Sequence, residues 1–316
     1  MSIETSPLET FISPDQLLLL LQQTFGTKLS LTDCSISKQH HDYAVLLLEL
    51  CHPSIKVVIK LAGPKAPLAC PFERTAMVHR LVATRTDIPM PEVLAVDTSY
   101  RTWPWRYFIR TQIPGQEWAV VQPQMSQAER SNAYLQIGSA VAHLHTIGFP
   151  AFGELGVDGS AQGDEPYLRA LTAHARAIIK RPDLRDLFFS ALEKRRALFC
   201  DVRDASLCHE DLHKHNILFQ YRQGRWHLAT ILDFDKAWAG HHETDLARLE
   251  FWRGMTSDQF WEGYEAIHPV GPLYQQRRPI YQLLWCLEFA RPTAEHLADT
   301  QRLCAELDLP RLKRFE

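Results

Sequence analysis

Asp211 and, five positions later, Asn216 close a short polar run that passes directly into the apolar Ile217-Leu218-Phe219. A turn signal follows at Arg222-Gln223-Gly224-Arg225, and the β-favouring stretch from Trp226 to Leu232 delivers Asp233 at its end. Such a hairpin brings Asn216 and Asp233 together. Two oxygen ligands from neighbouring strand ends suit Mg²⁺, which takes one or two protein ligands, keeps several waters and lets phosphates complete its shell. Asp211 is then left as a base, and the chemistry implied is phosphoryl transfer.

The same stretch spells a second chemistry. His209-Glu210-Asp211-Leu212-His213 is a literal H-E-x-x-H, which in zinc hydrolases sets two histidine ligands on one helical face with the glutamate as base. That reading demands a helix. The flanks give loop, strand, turn and strand instead, and no apolar face of helical period spans the motif.

The elements that must position these residues are legible on both sides. Ser13-Pro14-Asp15-Gln16 has the form of a capped helix start, and strand-like runs follow at 29–36, 43–50 and 56–61, as in a small antiparallel sheet. The Gly-free stretch from Ser37 to Asp42 is expected to be the loop between the first two strands. Pro71 to Val82 has helical character with Glu73 in its first turn. Two further strands lie near 93–96 and 105–110, and Pro114-Gly115 is a breaker. Ala128 to Thr146 carries an amphipathic pattern with Leu135, Val141 and Leu144 on its apolar side, and His145 is expected to pack in the core. The segments 167–199, 260–264 and 281–289 are helical and rich in charged or aromatic residues. His241 and His242, adjacent and without a spaced third ligand, are expected at the surface.

Composition sets the outer bounds. With 46% hydrophobic and 22% charged residues in 316, the chain has the make-up of a globular protein with a sizeable core. A net charge of −3 without a basic stripe argues against nucleic acid as a partner. Seven cysteines with no C-x-x-C pair suit a reducing compartment, and a cytoplasmic location is expected. No signal peptide and no membrane segment is read: the longest aliphatic run, Leu17 to Leu21, is far short of the ~20 residues a helical span needs.

His209-x-Asp211-x-x-x-x-Asn216 together with Asp233-Phe234 resembles the motif pair of the aminoglycoside phosphotransferase family, within the protein-kinase-like superfamily. The resemblance covers about residues 30–290. It implies an α+β, bilobal fold: an N-terminal nucleotide-binding lobe at 1–112, built on a small antiparallel sheet, and a larger, mainly helical lobe at 113–316 that carries catalysis and the acceptor. A hinge is expected at about 111–115, and ATP or GTP is expected in the cleft between lobes. By the same resemblance, Asp211 serves as base, Asn216 and Asp233 hold Mg²⁺, Lys60 in Val57-Val58-Ile59-Lys60 grips the phosphates, and Glu73 steers Lys60. Backbone groups around Thr111 to Ile113 would read the nucleotide base. Asp245 is expected to tie the start of a later helix to the catalytic loop, and His209 to shape that loop.

One departure from the family pattern stands out: Glu210 occupies the position between His and Asp where glycine is usual. The missing G-x-G-x-x-G, and an Asp233-Phe234-Asp235 with no A-P-E after it, point away from protein substrates and toward a small hydroxyl compound. The candidate acceptor segments carry Glu154, Asp158, Asp164, Glu165, Glu250, Asp258, Glu262 and Glu265 against Arg169, Arg176, Lys180, Arg181, Arg248 and Arg253. That mixture leaves an aminoglycoside, with antibiotic resistance as the consequence, level with another antibiotic, a sugar or an amino alcohol. A weakly catalytic nucleotide-binding module and the zinc hydrolase are the alternative functions. Oligomeric state is not legible.

Overall fold

In a computed structural model the described residues are 12–66, 70–163 and 166–315. Asp164 and Glu165, named above among the acceptor-side carboxylates, lie outside them. The chain divides into two units, Met1–Pro114 and Gly115–Glu316. One is built on an antiparallel sheet and the other is mainly helical, the α+β, bilobal class expected of a protein-kinase-like fold.

The first unit opens with α1 (Pro14–Phe25), whose capping box is complete: Ser13 Oγ accepts from the Gln16 N–H, and Gln16 Oε1 accepts from the Ser13 N–H. Five antiparallel strands follow: β1 (Ser30–His40), β2 (Tyr43–Cys51), β3 (Ile55–Ala62), β4 (Val93–Asp97) and β5 (Arg106–Thr111), in the order β1-β2-β3-β5-β4. α2 (Phe72–Arg85) lies between β3 and β4 in sequence. Alternation splits β3 between two cores. Val57, Ile59 and Leu61 pack with Leu17, Leu20 and Leu21 of α1, while Ala62 packs with Phe72 and Ala76 of α2 and Phe108 of β5. Lys60 shares the parity of Ala62, so it stands on the face that α2 covers.

The expected loop at 37–42 is a correction. β1 continues to His40, His40 pairs with Tyr43, and only His41 and Asp42 form the turn, with Asp42 in the left-handed region at φ 58°. β1 is an edge strand exposed along much of its length, so its polar residues meet water and leave no alternation to read.

The second unit contains β6 (Gln116–Glu117), α3 (Trp118–Val121), α4 (Gln127–His145), β7 (Gly148–Phe149), β8 (Gly153–Leu155), β9 (Ala161–Gln162), α5 (Tyr167–Ile178) and α6 (Pro182–Lys194). Next come β10 (Ala205–Cys208), β11 (Ile217–Arg222), β12 (Arg225–Ile231), β13 (Trp238–Gly240), α7 (Glu243–Phe251), α8 (Asp258–Glu265), α9 (Tyr274–Phe289) and α10 (Ala294–Glu306). α4 and α8 cross at glycines: a Cβ on Gly138 would stand 2.0 Å from the Phe260 carbonyl oxygen, and one on Gly263 would stand 2.3 Å from that of Leu135. Val141 and Leu144 of α4 are buried as their spacing requires, but Leu135 is 37% exposed. Among the described residues, no helix is long and apolar enough to cross a membrane.

Candidate active site

The hairpin expected from sequence forms. β11 and β12 pair antiparallel from Ile217 opposite Ile231 to Arg222 opposite Arg225. Gln223 and Gly224 make the turn, both with positive φ, as a two-residue hairpin turn of this hand requires. Beyond the last pair, the Leu232 N–H donates to the Asn216 carbonyl at 2.8 Å, so Asn216 and Asp233 leave the hairpin from the same end. Asp233 sits in the left-handed region (φ 71°, ψ 58°), which turns the chain sharply into a short 3₁₀ turn at Phe234–Lys236.

The segment from His209 to His213 is not helical. It leaves β10 as an irregular loop, and a zinc site of the H-E-x-x-H kind therefore has no helix to stand on. His209 is fully buried and both ring nitrogens are engaged: Nε2 faces the Leu232 carbonyl at 2.9 Å, and Nδ1 accepts from the Asp211 N–H at 3.2 Å. The loop is pinned from the other side by Asp245 in the first turn of α7. Its Oδ2 accepts from the His209 N–H at 2.7 Å and its Oδ1 from the Glu210 N–H at 2.8 Å. Oδ2 also meets His145 Nε2 at 3.2 Å, and His145 Nδ1 meets the Tyr264 hydroxyl at 2.8 Å. Burial alone would raise the Asp245 carboxyl, but hydrogen bonding and charge from His145 outweigh it and lower its pKa. The core placement of His145, the loop-shaping role of His209 and the tie made by Asp245 agree with the sequence reading.

Glu210 has φ 61°, the left-handed conformation that glycine enters without strain and that costs another residue about 1–2 kcal/mol. Its carboxylate turns inward and is 6% exposed. Oε1 accepts from Trp238 Nε1 at 3.1 Å, and Oε2 lies 3.4 Å from Arg248. Arg248, 5% exposed and one turn beyond Asp245 on α7, spans three carboxylates: Glu210, Glu288 at 3.2 Å and Asp211 at 3.5 Å. Lys236, three residues beyond Asp233, bonds Glu288 at 2.8 Å and approaches Asp211 Oδ1 at 3.8 Å. Burial opposes ionisation of Glu288, but Arg248 and Lys236 prevail and hold its pKa below the usual value. His213 Nε2 lies 3.9 Å from Asp211 Oδ2, and burial lowers the pKa of its ring although Asp211 acts to raise it. Asn216 donates through Nδ2 to the Asp211 carbonyl at 2.9 Å and is 8% exposed.

Of the charged residues expected on the acceptor side, Arg248 reaches Asp211. Glu154 pairs with His174, and Glu250 with Tyr274 and Arg278. Lys236 and Glu288 were not legible as site residues: the one cue was the position of Lys236 just after Asp233, and Glu288 lies in an aromatic helix that reads as core.

In the first unit Lys60 is 8% exposed on β3, and the carboxylate of Glu73, on α2, accepts from Thr98 Oγ1 at 2.8 Å. Thr111 ends β5, where its N–H bonds the Glu92 carbonyl at 2.9 Å, and the Gln112 N–H bonds the Lys56 carbonyl at 2.8 Å. The donors at 111 and 112 are thus spent within this unit, and the next N–H along the chain is that of Ile113.

His241 and His242 are not at the surface. His241 is 6% exposed and faces the Tyr281 hydroxyl through Nδ1 at 2.8 Å; His242 is partly buried, with Nε2 hidden and unpartnered. With Glu243 they bring potential ligand atoms within 4.8 Å of one another. Glu243, however, is fully buried in a bidentate bond to Arg277, 2.6 Å on each arm, and a metal ion there would have to displace or face that guanidinium.

A family model described as "Phosphotransferase enzyme family" matches residues 38–280. No curated protein matches the sequence. Among solved structures, a thermostable mutant of the aminoglycoside phosphotransferase APH(4)-Ia, in ternary complex with AMP-PNP and hygromycin B, superposes with a TM-score of 0.64 at 17% identity, covering 92% of this chain and 96% of that one. A putative fructosamine-3-kinase from Haemophilus somnus gives 0.60 at 15% identity over 92% and 96%. An ethanolamine kinase from Plasmodium vivax gives 0.57 at 12% identity over 98% and 96%. At these identities the structural likeness establishes the fold, while the family match covers most of the chain.

Proposed function

The chain belongs to the phosphotransferase enzyme family and transfers a phosphoryl group to the hydroxyl of a small molecule; within that activity we propose that Asp211 is the base, with Asn216 and Asp233 as the Mg²⁺ ligands of a nucleoside triphosphate. The observation that carries this reading is the convergence of the three residues at one end of the β11–β12 hairpin, on a loop whose backbone is fixed by His209 and Asp245. Because the Asn216 amide nitrogen is committed to the Asp211 carbonyl, its oxygen is the atom offered to a cation. With the Asp233 carboxylate it makes a hard, all-oxygen donor set, which suits Mg²⁺ and not zinc. When bound, the ion would neutralise charge on the phosphates.

Asp211 takes the acceptor's proton as the acceptor oxygen bonds to the γ-phosphorus. The bond from that phosphorus to the β,γ-bridging oxygen breaks, and the nucleoside diphosphate leaves. Lys60 binds the phosphates, Glu73 orients Lys60, and the Ile113 N–H together with the Thr111 carbonyl reads the base. ATP and GTP both fit this scheme. The N-terminal unit is the nucleotide-binding one in this reading, the hinge lies at about 111–115, and the enzyme works in the cytoplasm. Aminoglycoside modification, and with it resistance, is one outcome among several acceptors.

Two measurements test the assignment together. MgATP or MgGTP at ~100 Kd should stabilise the fold by about 2.7 kcal/mol, and only with the divalent ion present. Asp211→Ala should lower kcat for release of the nucleoside diphosphate by about 10²–10⁴-fold with little change in nucleotide affinity. Stoichiometric zinc in the purified protein that is lost in His213→Ala, with Asp211→Ala fully active, would return the assignment to hydrolysis.

A further inference from the structure

Two partly exposed rings from elements far apart in sequence touch the groups that surround Asp211: Trp252 meets His213, and Phe289 meets Lys236. Trp252 follows directly on α7, and its ring centroid lies 6.4 Å from that of His213, whose Nε2 is 3.9 Å from Asp211. Phe289 ends α9 with its face already occupied: Lys236 Nζ stands 4.2 Å above it, and the Arg291 guanidinium lies 5.2 Å from its centroid. Buried Trp285 backs both rings, at 4.9 Å from Trp252 and 5.4 Å from Phe289. Phe289 therefore positions Lys236, while Trp252 packs edge-to-face against His213 and Trp285 and keeps part of its ring exposed.

The charges beside these rings select among acceptors. A polycation requires carboxylates with capacity to spare. Here Glu210 is taken by Arg248 and Trp238, and Glu288 by Arg248 and Lys236. Asp211 itself has Arg248, Lys236 and His213 within 3.9 Å. The most exposed charge in the cluster is the Lys236 side chain, 36% exposed, against 22% for Asp211 and 12% for Glu288. An acceptor bearing several ammonium groups would meet Lys236 first.

We propose that Trp252 and Lys236 form the acceptor seat, and that the acceptor is a hydroxyl-bearing ring of the sugar type, neutral or singly anionic, that stacks on Trp252 and receives a hydrogen bond from Lys236. This rests on Asp211 as base and narrows the substrate class at that same site. The apolar face of a sugar ring covers the indole, while the edge carrying the hydroxyls turns toward Lys236 and Asp211.

Calorimetric titration of the full-length chain in the presence of MgATP tests the seat with two probes: phenyl β-D-glucoside, a neutral ring polyol, and kanamycin, a polycation. The glucoside is expected to bind and kanamycin not. Trp252→Ala should weaken the glucoside by about tenfold, and Trp252→Phe should restore most of the affinity, with the MgATP-induced rise in melting temperature unchanged in both. Lys236→Gln should weaken the glucoside and improve kanamycin relative to it. Tighter binding of kanamycin, no binding of either probe, or an unaltered affinity in Trp252→Ala would each overturn the proposal. A wild-type chain that shows no shift with MgATP would instead overturn the kinase assignment beneath it, so the two failures are told apart.

Discussion

Two clusters of ionisable side chains lie along α7, and they differ in what their partners leave undone. At the helix start, His145, Asp245, His241 and the Glu243–Arg277 pair are buried, with His145 bonded to Asp245, His241 to the Tyr281 hydroxyl and Arg277 to Glu243, and burial pushes His241 and His242 well below the ordinary imidazole pKa. One turn on, Arg248 enters a cluster where Lys236, Asp211 and Glu288 keep part of their surface. The first cluster is shut away from solvent, although His242 Nε2 within it is unpartnered. The second keeps surface that a substrate can reach. Residue type does not separate them, since the closed cluster is the one with metal-ligand spacing; exposure does. α7 links the two because Asp245 and Arg248, three apart, stand on one helical face. Asp245 fixes the loop's backbone and Arg248 fixes the carboxylates that hang from it.

The largest effect should come from cutting that link. Asp245→Asn removes a buried charge that accepts two backbone N–H groups and presents an NH₂ to one of them. A loss of about 3 kcal/mol is expected, read as a lower denaturant midpoint at unchanged slope, with kcat falling because the His209–Glu210 backbone is released. If stability holds while kcat collapses, Asp245 belongs to the open cluster and the division drawn above fails.

Glu210→Gln should be milder. The amide oxygen can still accept from Trp238, the left-handed backbone is unchanged, and Arg248 keeps Glu288 and Asp211 as partners. A fall in kcat of less than about tenfold, with the nucleotide Kd unchanged, is expected, because Asp211 rather than Glu210 carries the proton. A loss as large as that in Asp211→Ala would place Glu210 among the catalytic groups.

Much of the closed framework was legible, because it is made by local signals. The Ser13–Gln16 capping box, the Gln223-Gly224 turn and the order of His209, Asp211, Asn216, Asp233 and Asp245 each state their geometry within a few residues. The open cluster was not. Lys236, Arg248, Trp252 and Glu288 come from a 3₁₀ turn, from α7 and its end, and from α9, and the packing of α7 on α9 sets Glu288 on Arg248, which reaches Asp211. Adjacency likewise said nothing of how deeply His241 and His242 are buried. The carboxylates counted on the acceptor side misled in the same way, since Glu154 and Glu250 are paired elsewhere.

The smallest effect concerns pH and sharpens the contrast from the closed side. His242 and His241 have folded pKa values depressed by burial, reinforced by neighbouring histidines and Arg277. Their unfolded value is ~6.5. Between the folded and unfolded values the unfolded chain binds more protons, so stability falls as pH drops below about 6.5 and levels off above it. Each such histidine contributes a slope of up to about 1.4 kcal/mol per pH unit. His242→Gln, whose amide does not titrate in this range, should remove about one histidine's share of that slope between pH 6.5 and 5 while leaving stability at pH 8 nearly unchanged. Melting temperatures of wild type and variant across that range decide it. Parallel curves would mean that His242 protonates freely in the folded chain, and the cluster at the start of α7 would then be open to solvent and to ligands, as the Asp211 cluster is.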